Sequence, residues 1–100
     1  MRERKVVFSV EAEAELLKIY DWIADAASPD VAFGYVTRIE AFCQRLAMAS
    51  ERGQARDDIR PGLRIIGFER RVTIAFKVEP ERVVILRLFY GGRDWEALLD

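Results

Sequence analysis

The stretch RVTIAFKVEPERVVILRLFYGG, residues 71–92, decides the fold because it holds two strand patterns separated by a turn. In Arg71–Val78, large apolar side chains alternate with Thr, Ala and Lys, which predicts a half-buried β-strand. Glu79–Arg82 contains a proline and predicts the turn. Val83–Tyr90 is apolar at both alternating sets of positions except at Arg87, as expected of a central strand with both faces covered.

Further strand patterns lie on both sides of this pair. Leu63–Phe68 follows a Pro-Gly turn and predicts another strand, and Arg4–Phe8 is a short β-branched run that predicts an opening strand. Residues 50–58 are polar and aperiodic, which predicts a surface loop. We expect Gly91–Gly92 to supply positive φ values where the last strand ends, and Trp95, in a short helix after it, to pack on the core.

Two helices are predicted between the first strand and the others. Ser9 is a suitable N-cap, and apolar residues recur at helical spacing from there to Ala27. The sequence Ser28–Asp30, with proline in the middle, ends this helix and starts the second. Cys43 falls on the apolar stripe of the second helix and is expected to be an inert core residue. Gly34, unusual in a helix interior, is expected to permit the close approach of a neighbour.

These elements predict an α+β fold. The order is β-α-α-β-β-β followed by a short C-terminal helix, with an αα-hairpin packed on a small, mainly antiparallel sheet. With 100 residues and no repeat or low-complexity segment, we expect residues 1–100 to form one domain.

The composition excludes several classes of function. The chain has no histidine and one cysteine, which excludes a Ser-His-Asp or Cys-His site and an internal disulfide, and no metal or cofactor site is predicted. No apolar run is long enough to cross a membrane, and no signal-peptide pattern is present, so we expect a cytoplasmic protein. Net charge is −1, but residues 60–95 hold eight basic against four acidic side chains. This half could present a basic face to an acidic partner.

Two large apolar side chains are expected at the surface. Trp22 falls at the edge of the apolar stripe of the first helix, and Met48 on the side of the second helix opposite its stripe. Each is either an ordinary surface residue or a contact for a partner. Acidic side chains at helical spacing, such as Glu11 and Glu15, are interpreted as solvated charges and not as an acid/base pair.

Arg87 is the polar exception in the predicted central strand, so it needs a carboxylate partner or access to water. One interpretation is a structural ion pair, with Asp94 as a candidate partner. The other is a groove that receives an acidic or phosphate group. Arg71, Tyr90 and Arg93 complete the candidates for binding a partner, and no residue is assigned a catalytic role.

Nearly the whole chain resembles the ParE branch of the RelE/ParE superfamily, the toxin components of type II toxin–antitoxin modules. The closing segment, a strand followed by a small-residue break and Arg-Asp-Trp, is the most specific part of this resemblance. The similar segments are FSVEAEAELLKIYDWIA (8–24), SPDVAFGYVTRIE (28–40), IRPGLRIIGF (59–68), RRVTIAFKV (70–78) and RVVILRLFYGGRDWEALL (82–99).

The resemblance implies the fold derived above, a cognate ParD-like antitoxin that wraps along the hairpin and the sheet, and a hetero-oligomer with it. ParE-type members inhibit DNA gyrase, which implies growth arrest without catalysis, membrane association or sequence-specific nucleic-acid binding. The RelE branch cleaves mRNA on the ribosome, and only Arg87, Tyr90 and Arg93 are available near the matching strand end. We favour gyrase inhibition. A RelE-like endonuclease and a non-toxic, antitoxin-binding remnant are the alternatives.

Overall fold

A computed structural model describes residues 3–91 and 95–99. Its elements follow the predicted order, with an additional short strand and a 3₁₀ turn. They are β1 (Lys5–Phe8), α1 (Val10–Ala26), α2 (Pro29–Gln44), the 3₁₀ turn (Arg45–Ala47), β2 (Gln54–Ala55), β3 (Leu63–Phe68), β4 (Val72–Val78), β5 (Arg82–Tyr90) and α3 (Trp95–Leu99).

The five strands form one mixed sheet in the order β1-β5-β4-β3-β2. The pairs β2–β3, β3–β4 and β4–β5 are antiparallel, whereas β1 runs parallel to β5. The mainly antiparallel sheet and the interior position of β5 are therefore confirmed. The pairing of β4 with β5 shifts at one point, from Ala75 opposite Arg87 to Phe76 opposite Ile85, so Leu86 is an extra residue in β5.

The prediction of a loop over residues 50–58 was wrong at Gln54–Ala55, because these two residues form β2 and pair with β3. Gly53 allows this approach. Its φ is +78°, and a Cβ at this position would lie 2.4 Å from the carbonyl oxygen of Ile65. Two residues are too few to give a readable strand pattern, so periodicity could not have found β2.

Serine caps begin both long helices, as predicted. Ser9 Oγ accepts a hydrogen bond from the backbone N–H of Ala12 at 3.0 Å, and Ser28 Oγ accepts one from Val31 at 3.2 Å. The second helix is shorter than expected, because α2 ends at Gln44 and tightens into the 3₁₀ turn. Met48 follows that turn and does not lie on the helix surface, so its predicted placement was wrong.

Both faces of the sheet are covered. The αα-hairpin packs on one face, where its apolar stripes meet side chains of β4 and β5. On the other face a smaller cluster, Leu63, Ala75, Phe89 and Leu99, includes α3, and Trp95 packs against it as expected. None of the helices in the described residues is long and apolar enough to cross a membrane.

Two predictions about single residues in α2 have different outcomes. Cys43 is fully buried, and burial raises the pKa of its thiol to about 12, which agrees with an inert core residue. Gly34 has no neighbour within 4 Å of the position a Cβ would take, so the expected close approach does not occur.

Candidate partner-binding site

Arg87 forms the predicted ion pair, and its carboxylate partner is Glu15 of α1. Glu15 Oε2 lies 2.8 Å from Arg87 Nε and 2.7 Å from Nη2. The two side chains are only 13% (Glu15) and 27% (Arg87) exposed. Asp94, the partner considered from the sequence, lies outside the described residues. The interpretation of Glu15 as a solvated charge was wrong, because the hairpin packs this face of α1 against β5.

Glu15 also protects the open edge of β5. Strand β1 pairs only with Arg82–Ile85, so beyond it the outer edge of β5 has no neighbouring strand among residues 3–91 and 95–99. There the backbone N–H of Leu88 donates to Glu15 Oε1 at 2.8 Å, and Ser9 Oγ donates to the carbonyl oxygen of Leu86 at 2.8 Å. Side chains from the start of α1 thus satisfy backbone groups that a further strand would otherwise bind.

An aromatic row runs from α1 across the sheet to α2. Trp22, which is 46% exposed, lies against Tyr90 with 5.8 Å between ring centroids. The row continues from Tyr90 to Tyr35 at 6.3 Å, to Phe68 at 5.7 Å and to Phe42 at 5.2 Å. These separations fall in the range where aromatic rings attract one another. The row therefore holds the exposed ring of Trp22 in place.

Two clefts open on either side of Tyr90. The Arg87 cleft has a volume of about 90 Å³ and is lined by Glu15, Lys18, Ile19, Trp22, Arg87, Leu88 and Tyr90. The Tyr35 cleft has a volume of about 290 Å³ and is lined by Ile23, Val31, Tyr35, Arg38, Glu69, Arg71 and Tyr90.

The charged groups of the Tyr35 cleft are unevenly paired. Arg38 binds Glu69 in a bidentate pair, with Nε–Oε2 at 3.0 Å and Nη2–Oε1 at 3.2 Å, and the hydrogen bond from Arg38 lowers the pKa of the Glu69 carboxyl. Arg71 is exposed and has no carboxylate within 4 Å among residues 3–91 and 95–99. The cleft therefore has one unbalanced positive charge.

The turn between β3 and β4 holds this arrangement. Three residues connect the paired Phe68 and Val72, and two of them, Glu69 and Arg70, have φ values of +50° and +60°, in the left-handed region usually occupied by Gly or Asn. Left-handed backbone costs roughly 1–2 kcal/mol per residue that is not glycine. The hairpin tolerates this strain, and the turn places Glu69 and Arg71 at the mouth of the Tyr35 cleft.

Tyr35 is itself unusual. Its side chain is 7% exposed, and its hydroxyl is the one buried side-chain polar group without a hydrogen-bond partner among the described residues. An unpaired buried hydroxyl costs about 1–3 kcal/mol. Burial, with a smaller contribution from Glu69, raises the pKa of the phenol, so the hydroxyl remains a hydrogen-bond donor.

Comparison with known proteins identifies the family. A family model described as the ParE toxin of the type II toxin–antitoxin system parDE matches residues 6–95. The chain belongs to the ParE toxin family. Toxin ParE3 of Caulobacter vibrioides (strain ATCC 19089 / CIP 103742 / CB 15) is 27% identical over 95 residues, covering 95% of this chain and 94% of ParE3. A solved structure titled as the chromosomal ParDE TA system from P. aeruginosa superposes with a TM-score of 0.77 at 26% identity, covering 89% of this chain and 97% of that one.

The ParE fold brings four of the six candidate residues together. Trp22, Arg71, Arg87 and Tyr90 line the two clefts, which share Tyr90. Met48, 55% exposed, lies elsewhere: it follows Ala47, whose carbonyl oxygen accepts the backbone N–H of Arg4 just before β1. Arg93 lies outside the described residues.

Sequence reasoning missed the residues that complete the clefts: Glu15, Tyr35, Arg38 and Glu69. Glu15 had a readable signal, because it shares a helix face with Ala12 and Ile19, which are both buried. No comparable signal was available for Arg38 and Glu69, since their pairing joins α2 to a distant turn.

Proposed function

We propose that this ParE-family toxin inhibits DNA gyrase in the cytoplasm and is neutralised by direct binding of a cognate antitoxin, with which it forms a hetero-oligomer. The family match over residues 6–95 carries this proposal. The similarity to a ParDE system supports the antitoxin as partner. The exposed Trp22, which lines the Arg87 cleft, supports a binding function, because aromatic anchors dominate the affinity of many protein interfaces.

The pairing of Arg87 favours binding over RNA cleavage. An mRNA nuclease needs cations free to neutralise phosphates and an acid and a base beside the scissile 2′-hydroxyl. Here Glu15 engages Nε and Nη2 of Arg87, and the carboxylate would repel an approaching phosphate. The guanidinium therefore fits a structural role better than a role in phosphate binding.

The target is tested by adding the purified chain to gyrase in a supercoiling assay. We expect supercoiling to be inhibited, and preincubation with the candidate antitoxin, taken as the product of the neighbouring gene, to restore it. Normal supercoiling together with cleavage of mRNA on ribosomes would refute the proposal and favour the endonuclease. In that case Arg87→Ala, Tyr90→Ala and Arg93→Ala should abolish cleavage.

The antitoxin surface is tested by calorimetry with single variants. We expect Trp22→Ala to weaken binding by about 30-fold or more, the loss typical of a central aromatic residue. Met48→Ala should weaken it less, because Met48 belongs to neither cleft. Affinities equal to wild type for both variants would show that these residues are ordinary surface. A chain that binds the antitoxin but does not arrest growth would be the non-toxic remnant.

A further inference from the structure

Two residues that line the Tyr35 cleft carry hydrogen-bond donors without a partner in the described part of the protein. Arg38 and Glu69 satisfy each other, whereas the Arg71 guanidinium has no described carboxylate partner and the Tyr35 hydroxyl has no described acceptor. Both donors line the same cleft. A ligand with an anionic acceptor group would complete the hydrogen bonding of both.

The backbone of Arg71 and the ring of Tyr35 are both held in place by their neighbours. The backbone N–H of Arg71 donates to Phe68 at 3.0 Å, and its carbonyl accepts from Gly91 at 2.7 Å. The Tyr35 ring lies edge-on to Phe68 and Tyr90. Such preorganisation lowers the entropy lost on binding, so even a small ligand group could be recognised here.

The walls of the cleft select the kind of anion. Ile23 and Val31 line it, with Val31 54% exposed, so apolar groups should flank the anionic group of the ligand. A volume of about 290 Å³ is at the small end for ligand pockets and suits one side chain. A nucleic acid fits poorly, because its affinity depends on neutralising several phosphates, whereas Arg71 is the one unpaired cation among the described residues that line the cleft.

We propose that the Tyr35 cleft binds the carboxylate of an aspartate or glutamate within an apolar segment of a bound protein, with Arg71 and the Tyr35 hydroxyl as donors. This rests on the proposed function, under which that protein is the antitoxin. The Tyr35 hydroxyl is covered in the free protein, so a neighbouring side chain must rotate for the carboxylate to reach it.

The test measures binding of the adjacent gene's product to wild type, Tyr35→Phe, Arg71→Gln and Lys77→Gln. Lys77 is an exposed cation on β4, and by strand alternation it lies on the opposite sheet face, so its variant controls for loss of one charge. We expect Tyr35→Phe and Arg71→Gln each to weaken binding about 10- to 100-fold, as for hydrogen bonds to a charged group, and Lys77→Gln to remain within about twofold.

Tyr35→Phe separates binding from folding. Removing an unpaired hydroxyl should leave the melting temperature of the free chain unchanged or raise it, so weaker binding could not be explained by unfolding. The antitoxin carboxylate is then identified by replacing its acidic residues singly with Asn or Gln. One such change should weaken binding of the antitoxin to the wild-type toxin, but it should weaken binding to the Arg71→Gln variant little further.

Three results would overturn the inference, and they are distinguishable. Tight binding of wild type with both cleft variants within about twofold would show that the cleft is not used, while the proposed function stands. Loss of nucleic-acid binding in Arg71→Gln at unchanged antitoxin affinity would assign the cleft to phosphate. No complex with wild type would refute the antitoxin as partner and, with it, the proposed occupant of the cleft.

Discussion

The buried pair between Glu15 and Arg87 should be a main determinant of stability, and Glu15→Ala is the change that tests it. This substitution removes the hydrogen bond from Arg87 Nε, the ion-pair contact with Nη2 and the acceptor of the Leu88 N–H. Removing one partner of a buried pair costs about 3–5 kcal/mol, which we reduce to about 2–3 kcal/mol because Arg87 is 27% exposed. The unpaired N–H adds about 1 kcal/mol.

The expected loss in free energy of unfolding is therefore about 3–4 kcal/mol, a large part of the roughly 5–15 kcal/mol typical of a domain. At about 4–8 °C per kcal/mol, the melting temperature should fall by about 12–30 °C. Glu15→Gln keeps an acceptor for Leu88 and should lose only about 1–2 kcal/mol. Urea unfolding, monitored by circular dichroism, measures the free energy of unfolding of each variant. The midpoints can be compared directly if the dependence of this free energy on urea concentration is the same for all variants.

Asp21→Asn provides the matched control, because Asp21 is an exposed carboxylate on the same helix. Its loss should change the free energy of unfolding by no more than about 0.5 kcal/mol. If Glu15→Gln and Glu15→Ala were both as mild as this control, Glu15 would be a solvated surface charge after all. Its role in protecting the open edge of β5 would then be refuted.

Three further predictions concern α2 and the approach to β2. Gly34→Ala should stabilise the protein by about 0.5–1 kcal/mol, since the new methyl group meets open space in a helix interior; a loss of stability would contradict the geometry. Gly53→Ala, the contrasting case, should destabilise by about 2–4 kcal/mol because of its positive φ and the nearby Ile65 carbonyl, and wild-type stability would contradict that clash. The Cys43 thiol has a folded pKa of about 12 against an ordinary 9.0, so its contribution to stability is complete below pH 9 and lost as pH rises towards 12. The stability advantage of wild type over Cys43→Ala should therefore shrink by about 1.4 kcal/mol per pH unit above pH 9, and a constant difference would refute the buried thiol.

Local signals were sufficient for most of the fold. The serine caps, the proline after Ser28 and the alternation in β4 each act within a few residues, so the sequence displays them directly. The parallel pairing of β1 with β5, in contrast, could not be predicted from local signals. It depends on where the chain returns after the hairpin, and no local pattern encodes that.

The candidate site was predictable only in part, because local signals can be read from the sequence and contacts between distant elements cannot. Trp22 and Arg87 broke the patterns of their own elements, so each could be singled out alone. Their convergence on Tyr90 could not be predicted, because α1 and β5 meet only in the folded chain. Tyr35 was missed for the opposite reason: it fits the apolar stripe of α2, and only the missing partner of its hydroxyl distinguishes it.

The pairing of β1 with β5 also has a consequence for how the protein is made. Lys5 lies opposite Arg82, which is synthesised 77 residues later. At about 5–20 residues per second, a ribosome takes roughly 4–15 s to bridge that interval. During this time the hairpin has no completed sheet to cover its apolar stripe, because β4 and β5 supply most of the opposing surface. An interrupted translation product that stops before Arg82 lacks the partner of its first strand, so it should be recognised as unfolded and degraded.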